Sequence, residues 1–193
     1  MNTKGYHIIL GSGSPRRKEL LGELGFEFEV DTRNTFEEVY SEDTPQEAIP
    51  EVLSEGKSLG FHRELTDSEI LLTSDTLVLC EGRVMGKPRD REDAANMLKA
   101  LSGKSHKVIT AVTIRNSERM KTISDTALVH FKDLTDSEID YYIDNYRPFD
   151  KAGAYGIQEW IGYIGIDRIE GSYFTIMGLP VHRVYELLLE FIG

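Results

Sequence analysis

Apolar and polar positions change register several times along the chain, and each register predicts an element. His7-Ile8-Ile9-Leu10 is a short apolar run that predicts a buried first strand. Beyond it Leu20, Leu21 and Leu24 fall on one helical face, with Ser14 placed as N-cap and Pro15 as the first helical residue. Phe26 to Val30 alternates with period two and predicts a second strand, and the polar stretch from Asp31 to Asp43 predicts loop. Thr44-Pro45-Gln46-Glu47 has the spacing of a capping box, so a helix is expected to begin there. Pro50 lacks the N–H of an i−4 bond and is expected to kink or restart that helix. It then runs to about His62 with Val52, Leu53 and Leu59 inward and Lys57 near the same face. Ile70-Leu71-Leu72 reads as a central strand buried on both faces. Its apolar run breaks at Thr73-Ser74-Asp75-Thr76 and resumes over Leu77 to Cys80.

In the second half, Glu81-Gly82 predicts a hairpin turn into Arg83-Val84-Met85, followed by Gly86-Lys87-Pro88. Asp90 and Asp93 bracket a helix start whose core face is Ala94, Ala95, Met97, Leu98 and Leu101. Lys107 to Ile114 alternates, with Ile123 to Phe131 as its antiparallel partner. Thr135-Asp136-Ser137-Glu138 is a second capping box. Arg147 to Pro180 is rich in glycine and aromatic residues and reads as irregular loops. Pro180 opens a last helix with Val184, Leu187, Leu188 and Phe191 inward. Buried runs mixed with alternating strands imply an α/β fold, a mixed sheet flanked by helices.

Composition narrows the class without changing that picture. The 193 residues, 40% hydrophobic and 28% charged, suit one domain over the whole chain, with two lobes about a cleft. No signal-like segment opens the chain and no apolar run approaches membrane-spanning length, so a cytoplasmic protein with no membrane partner is expected. The single cysteine, Cys80, sits in an apolar run and reads as a core filler in a reducing compartment. A net charge of −11 opposes encounter with polymeric nucleic acid. It does not oppose a small polyanion that meets a locally basic pocket, and Arg16-Arg17-Lys18 supplies one.

That triplet lies at the N-terminus of the first predicted helix, after Gly11-Ser12-Gly13-Ser14. Free backbone N–H groups, the positive end of the helix dipole, the hydroxyls of Ser12 and Ser14 and the guanidiniums of Arg16 and Arg17 converge, which describes an anion site. The plainer alternative is a well-capped strand–helix turn with surface arginines. A dinucleotide fingerprint fails because Arg16 replaces its third glycine, although Asp31 lies near the spacing of the ribose acid. A Walker loop fails because no Gly-Lys-Ser/Thr ends the turn. Asp75, between two apolar runs, is either a turn aspartate bonded to its own backbone or a general base or metal ligand. If the first strand and the Ile70–Leu72 strand are neighbours, the arginine loop and Asp75 share one crevice at the strands' carboxyl ends. Lys87 returns after a hairpin and can neutralise phosphate, as can Lys57 from its helix. Glu37 and Glu38 are an acidic loop pair, either plain surface or a source of a second metal ligand. Gln158 ends a glycine-rich stretch, and its carboxamide suits the O4 and N3–H edge of uracil or thymine. Tyr155, Trp160 and Tyr173 either stack on a base or pack the core edge.

Taken together, these segments are identified with a known family. Gly11-Ser12-Gly13-Ser14-Pro15-Arg16-Arg17, Ser74-Asp75-Thr76, Gly86-Lys87-Pro88-Arg89-Asp90, Leu101-Ser102-Gly103-x-x-His106, Asp150 to Gln158, Gly171-Ser172-Tyr173 and Gly178-Leu179-Pro180 occur in one order and spacing. The sequence thereby resembles, over essentially its whole length, the Maf family of nucleoside triphosphate pyrophosphatases, in the form of its dTTP/UTP branch. The resemblance implies hydrolysis of dTTP or UTP to the monophosphate and pyrophosphate, with a divalent cation, Mg²⁺ or Mn²⁺, required. It also implies an elongated mixed sheet with a central cleft, similar to the inosine triphosphate pyrophosphatases. Asp75 matches the proton acceptor, and Arg16, Thr76 and Gln158 match the substrate-specificity positions. Ser12, Ser14, Arg17, Lys57 and Lys87 match phosphate-holding positions, and Glu38 with Asp75 the metal site. The chain departs from the family's pattern at two places. Gly11 stands where alanine is usual, which is expected to change little, and Glu159-Trp160 stands where a small pair is usual. A carboxylate and an indole there are expected to narrow the base pocket or shift its preference among uridine, thymidine and modified pyrimidines. Two rival functions stay open, a pyrophosphatase directed at inosine or xanthosine triphosphate and a nucleotide-binding regulator of cell division without turnover. The expected partner is a nucleoside triphosphate, with a homodimer as one assembly compatible with the chain.

Overall fold

The computed structural model describes residues 1–193. Strand β1 (His7–Leu10) leads through the glycine–serine turn into helix α1 (Pro15–Glu23), which returns the chain to β2 (Phe28–Val30). A 3₁₀ turn at Gln46–Ala48 opens α2 (Ile49–Leu59), and the long β3 (Glu69–Cys80) follows. The Glu81-Gly82 turn then gives β4 (Arg83–Met85), and α3 (Arg91–Leu101) precedes β5 (Ser105–Arg115) and β6 (Met120–Phe131). Helix α4 (Asp136–Tyr146), a 3₁₀ turn at Ala152–Ala154, α5 (Trp160–Gly165), β7 (Ile166–Glu170), α6 (Tyr173–Met177) and α7 (Val181–Ile192) complete the chain. The seven strands form one open mixed sheet in the order β2-β1-β3-β5-β6-β7, with β4 paired to β3. β1 runs parallel to both β2 and β3, placing Leu10 opposite Val30 and Leu72, whereas β4 and β7 run antiparallel to β3 and β6.

The chain divides into two compact units. The first holds residues 1–75, 110–125 and 178–193, the second residues 76–109 and 126–177; three of the four divisions fall inside β3, β5 and β6, and the fourth between α6 and α7. In the first unit Ile8, Ile9, Leu10, Ile70, Leu71 and Leu72 are fully buried, as strands covered on both faces must be. Val184, Leu187, Leu188 and Phe191 of α7 are buried on the face that the sequence assigns to them. In the second unit Ala94, Met97, Leu98 and Leu101 of α3 and Ile139, Tyr142 and Ile143 of α4 form the helical side of the core. Cys80 is buried there, and burial raises its thiol pKa, as suits an inert core filler.

Several expectations change. Asp75 is not in a turn: β3 is continuous for 12 residues, and the polar Thr73–Thr76 segment stays in the strand because its side chains find partners. α2 ends at Leu59, and Val52 and Leu59 are exposed. Its buried face instead carries Ile49, Leu53, Ser54 and Ser58. The Ser54 hydroxyl lies 3.2 Å from the Thr73 carbonyl and 2.9 Å from Thr113 Oγ1, and Arg115 donates to Ser58 Oγ at 3.2 Å. Hydrogen-bonded serines thus replace the apolar contacts that periodicity looks for. Thr44 does not cap: the chain enters through a 3₁₀ turn with no side-chain cap, and α2 restarts with Pro50 in its first turn, where the missing N–H costs nothing. β2 begins only at Phe28, with Phe26 buried ahead of it. β5 is buried without interruption from Val108 to Ile114, so its alternation does not mark a solvent face. The segment after Arg147 holds α5, β7 and α6, which are short and glycine-flanked and therefore carry little periodic signal. The capping box at Thr135 forms as expected, with Thr135 Oγ1 accepting from Glu138 N–H and Glu138 accepting from Thr135 N–H.

His106, on β5, lies between Tyr155 and Phe131, with ring centroids 5.4 Å away on each side, and its Nε2 is 2.8 Å from the Tyr155 hydroxyl. Burial, with a smaller push from His130, lowers its pKa to about 4. Between that value and about 6.5 the unfolded chain binds more protons than the folded one. This contribution to stability is therefore complete above about pH 6.5 and lost as pH falls toward 4. Melting temperature is expected to decline across that window, and the decline is expected to flatten in His106→Gln when both proteins are melted at a series of pH values.

Candidate active site

The turn after β1 is held against β3, where Gly11 N–H donates to the Leu72 carbonyl at 2.8 Å. A β-carbon on Gly11 would sit 2.9 Å from the Thr73 methyl, and Thr73 is pinned by its own hydroxyl bond to the Ser54 carbonyl. A side chain at position 11 would therefore press on Thr73. Ser14 caps α1 by accepting from Arg17 N–H at 3.5 Å, and Ser12 Oγ accepts from Ser14 N–H at 3.3 Å. The two hydroxyls that define the loop in sequence thus also shape it.

Arg17 acts as a three-way bracket. Its Nε donates to the Gly178 carbonyl at 2.9 Å, and one Nη donates to the Ser74 carbonyl at 2.8 Å and to Ser12 Oγ at 3.2 Å. Ser74 Oγ donates to the same Gly178 carbonyl at 3.3 Å. A planar guanidinium with fixed donors ties the loop, the strand residue before Asp75 and the residue ahead of α7 into one frame. Burial lowers its pKa to about 10, opposed by the charges of Asp75 and Glu38 and aided by that of Arg16, so all three of those groups act on Arg17. The group remains a cation at neutral pH.

Lys57, on α2, aims its ammonium at two carboxylates, 2.6 Å from Asp75 Oδ1 and 3.0 Å from Glu38 Oε1. The Lys57 and Asp75 side chains are largely buried and Glu38 is exposed. Of the sequence-predicted residues, the first unit therefore gathers Ser12, Ser14, Arg16, Arg17, Glu38, Lys57 and Asp75. Two hard oxygen donors already converge on one positive charge, which fits a small divalent cation held by one or two carboxylates and by substrate phosphates. No group of three or more His, Cys, Asp or Glu side chains forms an all-protein cage. Asp31, the residue at the ribose-acid spacing, is taken up by Arg33 at 2.6 Å and His62 at 3.1 Å.

Thr76, Lys87 and Gln158 belong to the second unit. Thr76 is the next residue after Asp75 on β3, and Lys87 is exposed after β4. Gln158 has a buried side-chain oxygen with no hydrogen-bond partner in the protein, while its main-chain carbonyl accepts from the Tyr163 hydroxyl at 2.8 Å. Tyr155 is buried against His106 and Phe131, and Trp160 packs on Tyr141 at 4.7 Å, so both side chains serve the protein interior or α4. The Glu159 carboxylate is likewise engaged, with Tyr142 and Lys151.

Residues 7–191 match the family described as Maf-like protein. The chain belongs to the Maf family. Among its Maf relatives, a protein of Porphyromonas gingivalis named dTTP/UTP pyrophosphatase is 48% identical over 192 residues, covering 98% of this chain and 96% of the relative. Proteins of the same name from Christiangramia forsetii and Bacteroides thetaiotaomicron are each 47% identical, covering 98% and 95% of this chain and 96% and 95% of their own. Sequence reading of this Maf protein missed Gly178 as the acceptor for Arg17 and Ser74, and it missed the buried Lys151. A glycine two residues before a helix-opening proline marks the first. The second has no local signal, since a lysine beside an aspartate reads as surface.

Replacing Arg17 by lysine keeps the charge and loses the fork. The Ser74 and Gly178 carbonyls then lose a charged donor, and a stability loss of about 1–3 kcal/mol is expected in denaturant titration. A wild-type midpoint would show that the bracket contributes nothing.

Proposed function

We propose that this Maf protein hydrolyses dTTP and UTP between the α- and β-phosphates, releasing the monophosphate and pyrophosphate. The observation that carries the reading is the Lys57 ammonium held between Asp75 and Glu38, beside a capped helix N-terminus with two arginines. The names of its relatives support the substrate class. Ser12, Ser14, Arg16, Lys57 and Lys87 bind the phosphates, and Arg17 holds the frame in which they do so. Glu38 and Asp75 would hold a divalent cation, Mg²⁺ or Mn²⁺, which would supply positive charge to offset that of the phosphates. Asp75 engages Lys57 through Oδ1, and we assign Oδ2 to a water molecule. Asp75 accepts a proton from that water as its oxygen bonds to the α-phosphorus, and the bond from the α-phosphorus to the bridging oxygen breaks. The lysines and Arg16 stabilise the charge that collects on departing pyrophosphate. Thr76 and Gln158 select the base, for which the unpartnered Gln158 oxygen speaks: it needs an N–H donor, and uracil and thymine offer one at N3. The same reading places the enzyme in the cytoplasm, and no helix is long and apolar enough to cross a membrane.

Asp75→Asn keeps the side-chain shape and removes the base. Pyrophosphate release from UTP is expected to fall by about 10²–10⁴ while nucleotide binding persists, and near-normal turnover would refute the role. Gln158→Glu replaces an amide by an acceptor-only carboxylate. It removes the donor to O4 and is expected to penalise UTP and dTTP selectively against CTP, which carries an amino group in place of O4; an equal loss on all three would refute base reading.

A further inference from the structure

We infer that Tyr142, Glu159 and Lys151 form a buried brace that positions Gln158 and thereby sets the preference for a pyrimidine with an N3–H donor. The inference rests on the reading of Gln158 given above and adds residues to it. The fully buried Tyr142 on α4 donates its hydroxyl to Glu159 Oε2 and accepts from Gly156 N–H at 3.0 Å. Burial and the neighbouring carboxylate raise the Tyr142 pKa, so the phenol stays a donor. Lys151, whose side chain is nine-tenths buried, places its ammonium 3.1 Å from Glu159 Oε1 and 2.7 Å from Asp150. Both oxygens of Glu159 are thereby committed, one to a phenol and one to an ammonium.

Gln158 lies between these anchors. Gly156 is fixed two residues before it, Glu159 directly after it, and its own carbonyl is held by Tyr163. Gly156 has a packing role as well: a β-carbon there would come within 2.9 Å of Glu159 Cδ and 3.0 Å of Lys151 Cε, atoms that the brace prevents from moving aside. An unpartnered buried oxygen discriminates between a donor and an acceptor only if it cannot turn to find water. The brace supplies that rigidity. Uracil and thymine present a donor at N3 where cytosine presents an acceptor, so the comparison that reports on the brace is UTP against CTP. Glu159, one of the two departures from the family's usual pair, thus acts through its neighbour as a positioning residue, turned toward α4 and not lining the base pocket.

The test is steady-state pyrophosphate release from UTP and CTP by wild type, Glu159→Gln and Tyr142→Phe, each checked for folding by thermal melt. Tyr142→Phe removes one hydroxyl and leaves the Glu159–Lys151 pair, so it decides the matter if Glu159→Gln fails to fold. In both variants KM for UTP is expected to rise about tenfold with kcat within about twofold, and the UTP-over-CTP preference to fall about tenfold. A folded variant that keeps the wild-type preference, or loses rate equally on both nucleotides, overturns the brace and leaves the assigned reaction standing. A wild-type protein that releases no pyrophosphate from either nucleotide overturns both.

Discussion

A carboxylate in the middle of a strand whose preceding residues are fully buried has to be matched by charge, and the match between Asp75 and Lys57 is the constraint on which the site depends. Lys57 reaches Asp75 from α2, a helix that docks with two hydroxyls turned inward. Ser54 bonds to Thr73 and Thr113, and Ser58 to Arg115, so the helix is held at the strands by directional bonds. Those bonds add direction to the close packing of Ile49 and Leu53 on the same face.

The same logic governs the loop after β1. Its glycine lets the backbone lie against β3, its serines cap and shape the turn, and the Arg17 fork fastens it to Ser74 and Gly178. Of two adjacent arginines, one is thus spent largely on backbone carbonyls. The division follows from geometry: successive residues in the first turn of a helix point about 100° apart, so adjacent guanidiniums face different surroundings. The second unit repeats the device with other chemistry, where a buried phenol and an ion pair hold the glycine-rich loop that bears Gln158.

Much of the candidate site was legible in the chain because its signals are local. A serine before a proline at a helix start, an aspartate interrupting an apolar run, and a glutamine after a glycine-rich stretch each announce themselves within a few residues. The segments after Arg147 were not legible, since five- and six-residue elements show neither period long enough to be read. The inward serines of α2 escaped for a different reason: a polar residue is read as exposed unless its partner is known, and Thr73 and Thr113 lie 19 and 59 residues from Ser54.

The sequence by itself determined the α/β class, the first strand, the capped helix after it, the hairpin at Glu81-Gly82 and the residue types from which a phosphate site is made. Tertiary structure alone decided what each charged group touches. It set Lys57 between Asp75 and Glu38, turned Arg17 toward backbone carbonyls, kept Asp75 within an unbroken strand, and joined Glu159 and Lys151 to a tyrosine on α4. Element type follows from short-range periodicity and caps, which a linear reading captures. Pairing of buried charges is set by which chain segments pack together, because only close, desolvated partners offset the cost of burying them.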